Sequence, residues 1–339
     1  MIVALRVIWV ALSQGLSCVR VIHFERTLRP QVVSLGEPMV EFCATETGRL
    51  GRVEAFKRGW GGDTSNFAVA AARTGSTVAH LCRLGGDEFG RSFLELWAGE
   101  GMDTSRVVVE PDGWTAVYFI SLVEGGGHDF IYYRAGSAAS RYSVKDLDEE
   151  YLKSARVFHT SGISLAVSQS LREAALHAMD VCREAGCTVT FDINMRTKLW
   201  PVHTARASLE YAFRRADVVF SSRDDAQSLY GVGDPAEAAE YIRAMGPETV
   251  VVKLGGEGCY VSSGGESFTC PGYRVKTVDT TGAGDAFDGA WVSATLEGRD
   301  LRERARFANA VGALTATGLG AVAPIPGREQ ALRLMEEQA

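Results

Sequence analysis

Residues 278–297 read VDTTGAGDAFDGAWVSATLE, a short polar segment containing Gly282, Ala283 and Gly284 that runs straight into a stretch of small residues with helical character. Glycines just ahead of a helix leave backbone N–H groups uncovered, and unsatisfied donors at the positive end of a helix dipole favour an anion such as phosphate. Asp285 follows at once. A carboxylate at the mouth of an anion pocket weakens binding unless it handles a proton, so the placement fits a base that takes the proton of a hydroxyl. Phosphoryl transfer asks for positioning, charge neutralisation and one such base. A glycine-rich strand-to-helix turn, with Asp285 as an ordinary first-turn residue, accounts for the same letters without chemistry. No GxxxxGK[ST], HRD or DFG string occurs in the chain, which sets aside the P-loop and protein-kinase solutions.

Other stretches carry side chains suited to the same task. In YYRAGSAAS, strand alternation puts Tyr132 and Arg134 on one face with Tyr133 opposite. A guanidinium beside a phenol makes a fork for a carboxylate, for which a neutral hexose has no use; a surface arginine beside interface tyrosines is the plainer alternative. Asp192, Asn194 and Arg196 in DINMRTKLW leave a strand end together, where phosphates and acidic substrates lie in open α/β sheets. An arginine that only fixes the loop around Trp200 reads those letters equally simply. Lys253 closes the apolar run VVVK, and a lysine at a buried strand end needs a partner, of which phosphate is one. Gly36, after the apolar run at 32–35, either admits a substrate to the backbone or simply turns the chain.

A sheet has to hold these residues in place. Apolar runs at 32–35, 78–84, 157–161, 188–193, 218–220 and 249–254 read as strands, with helices expected near 64–73, from Asp87, over 169–185 and over 304–318. Asp87 is expected to cap its helix. The βαβ rhythm of the second half predicts an α/β fold with a mostly parallel sheet. Alternation across 114–134, broken by a glycine-rich turn at 124–128, predicts a β-hairpin that forms a small separate sheet with 53–60 or else one edge of the main sheet. The small faces around Asn309, Ala310 and Ala313 would let adenine lie against the 304–318 helix with Asn309 near it, and a simple packing helix explains the same residues nearly as well.

Composition narrows the partners. The 339 residues are 46% hydrophobic and 23% charged, enough for a large core. A net charge of −7 without a Lys/Arg run argues against nucleic acid, so an anionic substrate must meet locally placed cations. The cysteines at 18, 43, 82, 182, 187, 259 and 270 show no CxxC or metal-ligand spacing and fit buried thiols of a reducing cytoplasm. Residues 1–22 are apolar enough to pass for a short signal-peptide core, but Arg6, Gln14 and Arg20 interrupt them, so no membrane span is expected.

The string DTTGAGDAFDG resembles the C-terminal signature of the PfkB-type (ribokinase-like) sugar kinases, and RGWGGDTSNFA resembles their N-terminal GGxxxNxA motif. The resemblance runs from about residue 31 to residue 333. It implies a three-layer α/β/α kinase domain over 31–335 with a β-sheet lid from strands near 53–60 and 114–134, and it leaves 1–30 as an extension: a non-native start, or an extra helix or strand. Because an ATP-using kinase has no phosphate donor outside the cell, it also implies a cytoplasmic protein. By position, Asp285 becomes the base, Gly282 to Gly284 the anion hole, and Gly36, Gly62, Asp63 and Asn66 the sugar-hydroxyl site; for Asp63 a helix N-cap remains open. The lid segment resembles that of 2-keto-3-deoxygluconate kinases, which implies substrate contacts from Tyr118, Tyr132 and Arg134. D-x-N-x-R-x-x-L-W assigns Arg196 to the sugar-acid carboxylate and Asn194 to the donor phosphates. Lys253, Gly255 and Gly258 match a nucleotide-lining K-x-G-x-x-G segment, so ATP and Mg²⁺ are expected. Where relatives carry N-x-x-E this chain has Ser222 and Asp225, leaving Asp225, or else Asp224, to order the metal. Asp279 and Thr281 match positions that hold a monovalent cation in some relatives, so K⁺ is an additional candidate, and the exposed lid strands suggest a homodimer or larger homo-oligomer. Fructokinase-like or nucleoside kinases, and a sensor that kept the fold without turnover, are the competing readings.

Overall fold

The computed structural model describes residues 4–8, 21–25, 29–122 and 128–339. Cys18, most of the apolar stretch at 1–22 and the glycine-rich turn ahead of His128 lie outside the described residues. Ala4–Ile8 pairs antiparallel with Val21–Glu25 in a two-stranded sheet of its own. Among the described residues no helix is long and apolar enough to cross a membrane.

The strand sequences VVSL, VFHTS, TVTFD and TVVVK are rich in β-branched and aromatic residues and almost wholly buried. Such runs suit a sheet covered on both faces by helices. They form an eight-stranded sheet ordered Glu266–Pro271, Gly258–Ser263, Thr249–Lys253, Val218–Ser222, Thr188–Asp192, Val157–Ser161, Val32–Leu35 and Val78–Leu81. Pairing is parallel from Thr249–Lys253 to Val78–Leu81, and the two strands beyond Lys253 turn back antiparallel. On one face lies a core with Phe67, Trp97, Trp291 and Phe307; on the other lies a core with Leu171, Met179, Leu209 and Phe213. The result is the expected three-layer α/β/α arrangement.

The register gathers the ends of the parallel strands at one rim, with Ser161 opposite Asp192 and Ser222 opposite Lys253. Across that rim stands the small sheet, ordered His128–Tyr133, Val117–Leu122, Met39–Thr47 and Phe56–Gly61. The expected lid is therefore there, with one strand more than its two predicted pieces: Met39–Thr47 is an inner strand, parallel to Val117–Leu122 and antiparallel to Phe56–Gly61. Its pleat sends Met39 and Cys43 toward Tyr118 and Ile120, while Phe42 on the other side stacks on Phe119 with ring centroids 5.2 Å apart. The strand expected at 53–60 begins only at Phe56, after a 3-10 turn at Leu50–Arg52.

The helices Asp63–Arg73 and Ala283–Leu296 meet where Gly289 faces Phe67 O, Ala70 and Ala71. A Cβ on Gly289 would lie 2.5 Å from the Phe67 carbonyl oxygen, a backbone atom that cannot step aside. Gly289→Val is expected to destabilise the fold by about 1–3 kcal/mol through overpacking, read as a lower midpoint in chemical denaturation. An unchanged midpoint would show that the two helices part without cost.

Candidate active site

Gly282 adopts the left-handed conformation (φ +77°) that lets the loop turn into the Ala283–Leu296 helix, and a Cβ there would lie 2.7 Å from the Ala321 carbonyl oxygen. The loop ahead of it is fixed by Asp279, whose Oδ1 accepts from Thr281 N (2.9 Å) and Thr281 Oγ1 (2.7 Å) and whose Oδ2 accepts from Gly320 N (2.9 Å). Ala283 N–H donates to Thr280 O at 3.2 Å, so it is spent within the turn. Gly284 and Asp285 N–H have no acceptor among the described residues, and no side chain caps the helix. Two donors at the positive end of a helix are thus left for an anion.

Asp285, in the first turn, is half-buried and held from both sides. Asn66 Nδ2 donates to its Oδ2 at 2.8 Å, and Asn194 Nδ2 reaches its Oδ1 at 3.3 Å and Asp63 Oδ2 at 3.4 Å. Asn194 does this from a positive φ of 38°, a conformation that asparagine tolerates better than most residues. Burial, then repulsion from Asp63 and Asp192, push the Asp285 carboxyl up to about 7 against the pull of Asn66 and Lys253. A carboxylate poised near neutrality suits a general base. Asp63 is itself raised by burial, with Ser161 pulling the other way, and its Oδ1 has no hydrogen-bond partner. It is the first helical residue, not the N-cap; Gly62, at φ +94°, holds that position. A Cβ on Gly62 would meet Glu37 O at 2.3 Å and one on Gly36 would meet Thr64 Oγ1 at 2.3 Å, so both glycines are required by close packing at the rim.

Lys253 departs from expectation. Its Nζ donates to Asp192 Oδ2 (3.1 Å) and to Asp288 Oδ1 and Oδ2 (3.1 and 3.0 Å), so two carboxylates meet the charge that phosphate was expected to meet. Burial favours loss of its proton, but Asp192, Asp288 and Asp285 outweigh it and hold the ammonium charged. It still borders the anion site, since a Cβ on Gly284 would lie 3.4 Å from Nζ.

The lid residues are also engaged with one another. Tyr118 donates its hydroxyl to Glu41 Oε2 at 2.6 Å, and Tyr132 lies half-buried with the Arg134 guanidinium carbon 5.6 Å from its ring centre. Tyr132 and Arg134 therefore share a side, but the fork is closed: Arg134 Nη2 pairs with Glu37 Oε2, and Ser137 Oγ donates to Glu37 Oε1 at 3.1 Å. Arg196, by contrast, is exposed, and its described hydrogen bond is to Met195 O at 2.9 Å. Among the described residues it has no carboxylate partner.

The remaining expected residues do structural work. Asp225 Oδ1 accepts from Met195 N (2.8 Å) and Oδ2 from Ser222 N and Oγ (2.9 and 2.7 Å), while Ser222 Oγ caps the helix by accepting from Asp225 N. Both hold that helix end, and their described partners are protein atoms. Asn309 donates to Cys270 O and Pro271 O at 3.2 Å each, tying its helix to the sheet edge. Gly255 and Gly258 shape the turn between strands, where a Cβ on Gly258 would lie 2.1 Å from Cys270 O. Sequence reasoning passed over Glu37, Glu41 and Asp288. The signal was there for Asp288, an acid one turn after Asp285 on a helix otherwise of apolar and small residues.

Residues 29–328 match the model of the pfkB family carbohydrate kinases. The chain is 38% identical over 309 residues to a 2-dehydro-3-deoxygluconokinase of Thermoproteus tenax, covering 90% of this chain and 94% of that one. It is 36% identical over 316 residues to fructokinase-1 of Oryza sativa subsp. japonica, covering 90% and 97%. In structure it superposes with a TM-score of 0.84 and 27% identity on an E. coli protein called ribokinase II, solved in complex with ATP and Mg²⁺, over 91% of this chain and 99% of that one. With the glycine-bounded helix N-terminus, the Asp285 carboxylate beside it and the small sheet across the rim, these matches span nearly the whole described fold, and the chain belongs to the PfkB family of carbohydrate kinases.

Proposed function

We propose that this chain transfers the γ-phosphoryl group of ATP to the 6-hydroxyl of 2-keto-3-deoxygluconate. The observation that carries the reading is Asp285: a carboxylate brought to about 7 beside two backbone donors that have no acceptor among the described residues. Asp285 takes the proton of the attacking hydroxyl, and Asn66 and Asn194 hold its two oxygens in place. The N–H groups of Gly284 and Asp285 stabilise charge on the migrating group as it leaves its donor. Gly36, Gly62 and Asp63 shape the sugar side of the rim, and Lys253 balances the surrounding carboxylates.

The choice of an acid rests on Arg196, an exposed cation on the loop whose Asn194 touches the base, together with the Thermoproteus tenax relative. The residues also fit a nucleotide-bound Mg²⁺. No three His, Cys, Asp or Glu side chains come together as a metal site among the described residues, but Asp192 Oδ1 is a buried acceptor without a partner that would hold a metal-bound water. A bound Mg²⁺ would supply charge that neutralises the donor phosphates. A fructokinase is the second reading, favoured by the Glu37–Arg134 pair, which gives a neutral sugar no unbalanced charge to face.

ADP release with ATP and Mg²⁺ should give a kcat/KM for 2-keto-3-deoxygluconate roughly a hundredfold above that for fructose, on the order of 3 kcal/mol of discrimination. A preference for fructose would leave a kinase with the other substrate, and no ADP release with 2-keto-gluconate, ribose or adenosine either would point to a sensor. Asp285→Asn should lower kcat by about 10²–10⁴-fold while calorimetry shows nucleotide binding nearly intact; near-normal turnover removes the base.

The pH profile carries its own sign. The base works deprotonated, so kcat/KM should rise with pH through about 7 and level off above. Asp63→Asn removes a repulsion that raises the Asp285 pKa and should move that limb to lower pH, whereas Asn66→Ala removes a donor that lowers it and should move the limb up. Limbs that stay put in both variants would detach the profile from Asp285.

A further inference from the structure

Glu37 follows the first strand of the sheet and is almost wholly buried, with 1% of its surface exposed against 9% for Arg134. Its carboxylate touches the lid exit from two directions, through the Arg134 guanidinium and the Ser137 hydroxyl. Its carbonyl oxygen is the atom that a Cβ on Gly62 would strike at 2.3 Å. One residue therefore ties together the first strand, the glycine turn ahead of Asp63 and the end of the lid hairpin. In so dry a place an arginine and a carboxylate act as a unit with little net charge. A substrate carboxylate brought near Arg134 meets Glu37, and Asp63 beyond it, as well as the guanidinium.

We infer that Glu37 is a positioning residue that cancels the charge of Arg134, so that selection between acidic and neutral sugars rests on Arg196 and can be shifted at Glu37. The inference rests on the kinase reading above but not on which sugar is preferred. Removing the carboxylate while keeping its shape should uncover the guanidinium. Removing the guanidinium alone takes away the strongest pull against burial on the Glu37 proton, so the carboxyl should become its neutral acid and no charge should be uncovered. Removing both should likewise leave no charge.

The test is the ratio of kcat/KM for 2-keto-3-deoxygluconate over that for fructose in Glu37→Gln, Arg134→Gln and the double variant, with thermal melting to confirm folding. The ratio should rise about tenfold or more in Glu37→Gln, chiefly through KM for the acid. It should stay near the wild-type value in Arg134→Gln, where the buried carboxyl takes up a proton, and in the double variant, where neither charge remains. A merely structural role would slow both substrates alike and leave the ratio unmoved, which overturns the inference. If Glu37→Gln does not fold, Glu37→Met, which also keeps the volume without the charge, takes its place in the comparison. If turnover is too slow to follow, the ratio of dissociation constants from calorimetry replaces it. A wild type that prefers fructose would overturn the choice of substrate alone, because the Glu37→Gln shift is expected whichever sugar the wild type prefers.

Discussion

The Lys253 ammonium lies 3.0–3.1 Å from the carboxylates of Asp192 and Asp288, in a part of the molecule nearly closed to water. Asp285 and Asp63 crowd the same neighbourhood, and like charges so close and so poorly solvated cannot all ionise unless a cation is fixed among them. The lysine comes from the end of one strand, Asp192 from the end of another and Asp288 from the helix that carries Asp285. The pairing therefore docks that helix against the sheet rim at a set height and places Gly284 beside the lysine. The proton affinity of Asp285 is what remains after these contributions have partly cancelled, which is why it settles near neutrality.

Such balance needs short distances, and short distances need small residues. Asn66 reaches Asp285 only because its alanine-rich helix lies against the glycine of the facing one. Gly282 similarly lets the loop through residue 321 close under the helix start. The glycines of this rim are thus packing residues before they are binding residues, and their contribution to chemistry is to let charged side chains from distant parts of the chain approach.

This division explains what could be read from the letters. Relations within a few residues were legible: the glycine-bounded helix start at 282–285, the Asp87 cap that accepts from Gly90 N, and the runs that became parallel strands. Relations across long separations were not. The partner of Arg134 lies nearly a hundred residues earlier, at Glu37, and those of Lys253 come from a different strand and a later helix. Local alternation fixed the side on which Arg134 stands but carried no information about what faces it. Asn309 is a like case, since its small neighbours carried no sign that its amide donates to the sheet edge. The inner lid strand escaped because Met39–Thr47 directly follows a buried strand of the main sheet, and only the turn through Glu37 and Pro38 moves it to the other sheet.

An arginine in a sugar site is therefore not by itself a sign of an acidic substrate. A guanidinium that reaches its site through the interior must be neutralised to be buried at all, and the group that neutralises it also repels the anion it was expected to attract. Arg196 bears no such burden: it leaves a strand end into solvent, pays little to remain charged, and its described bond is to a neutral carbonyl. Exposure weakens its pull through screening, yet it preserves the charge for an incoming carboxylate. On the proposed reading, discrimination by charge belongs to the loop that also brings Asn194 to Asp285, so that recognition of the substrate's far end and alignment of the proposed base would depend on one short segment.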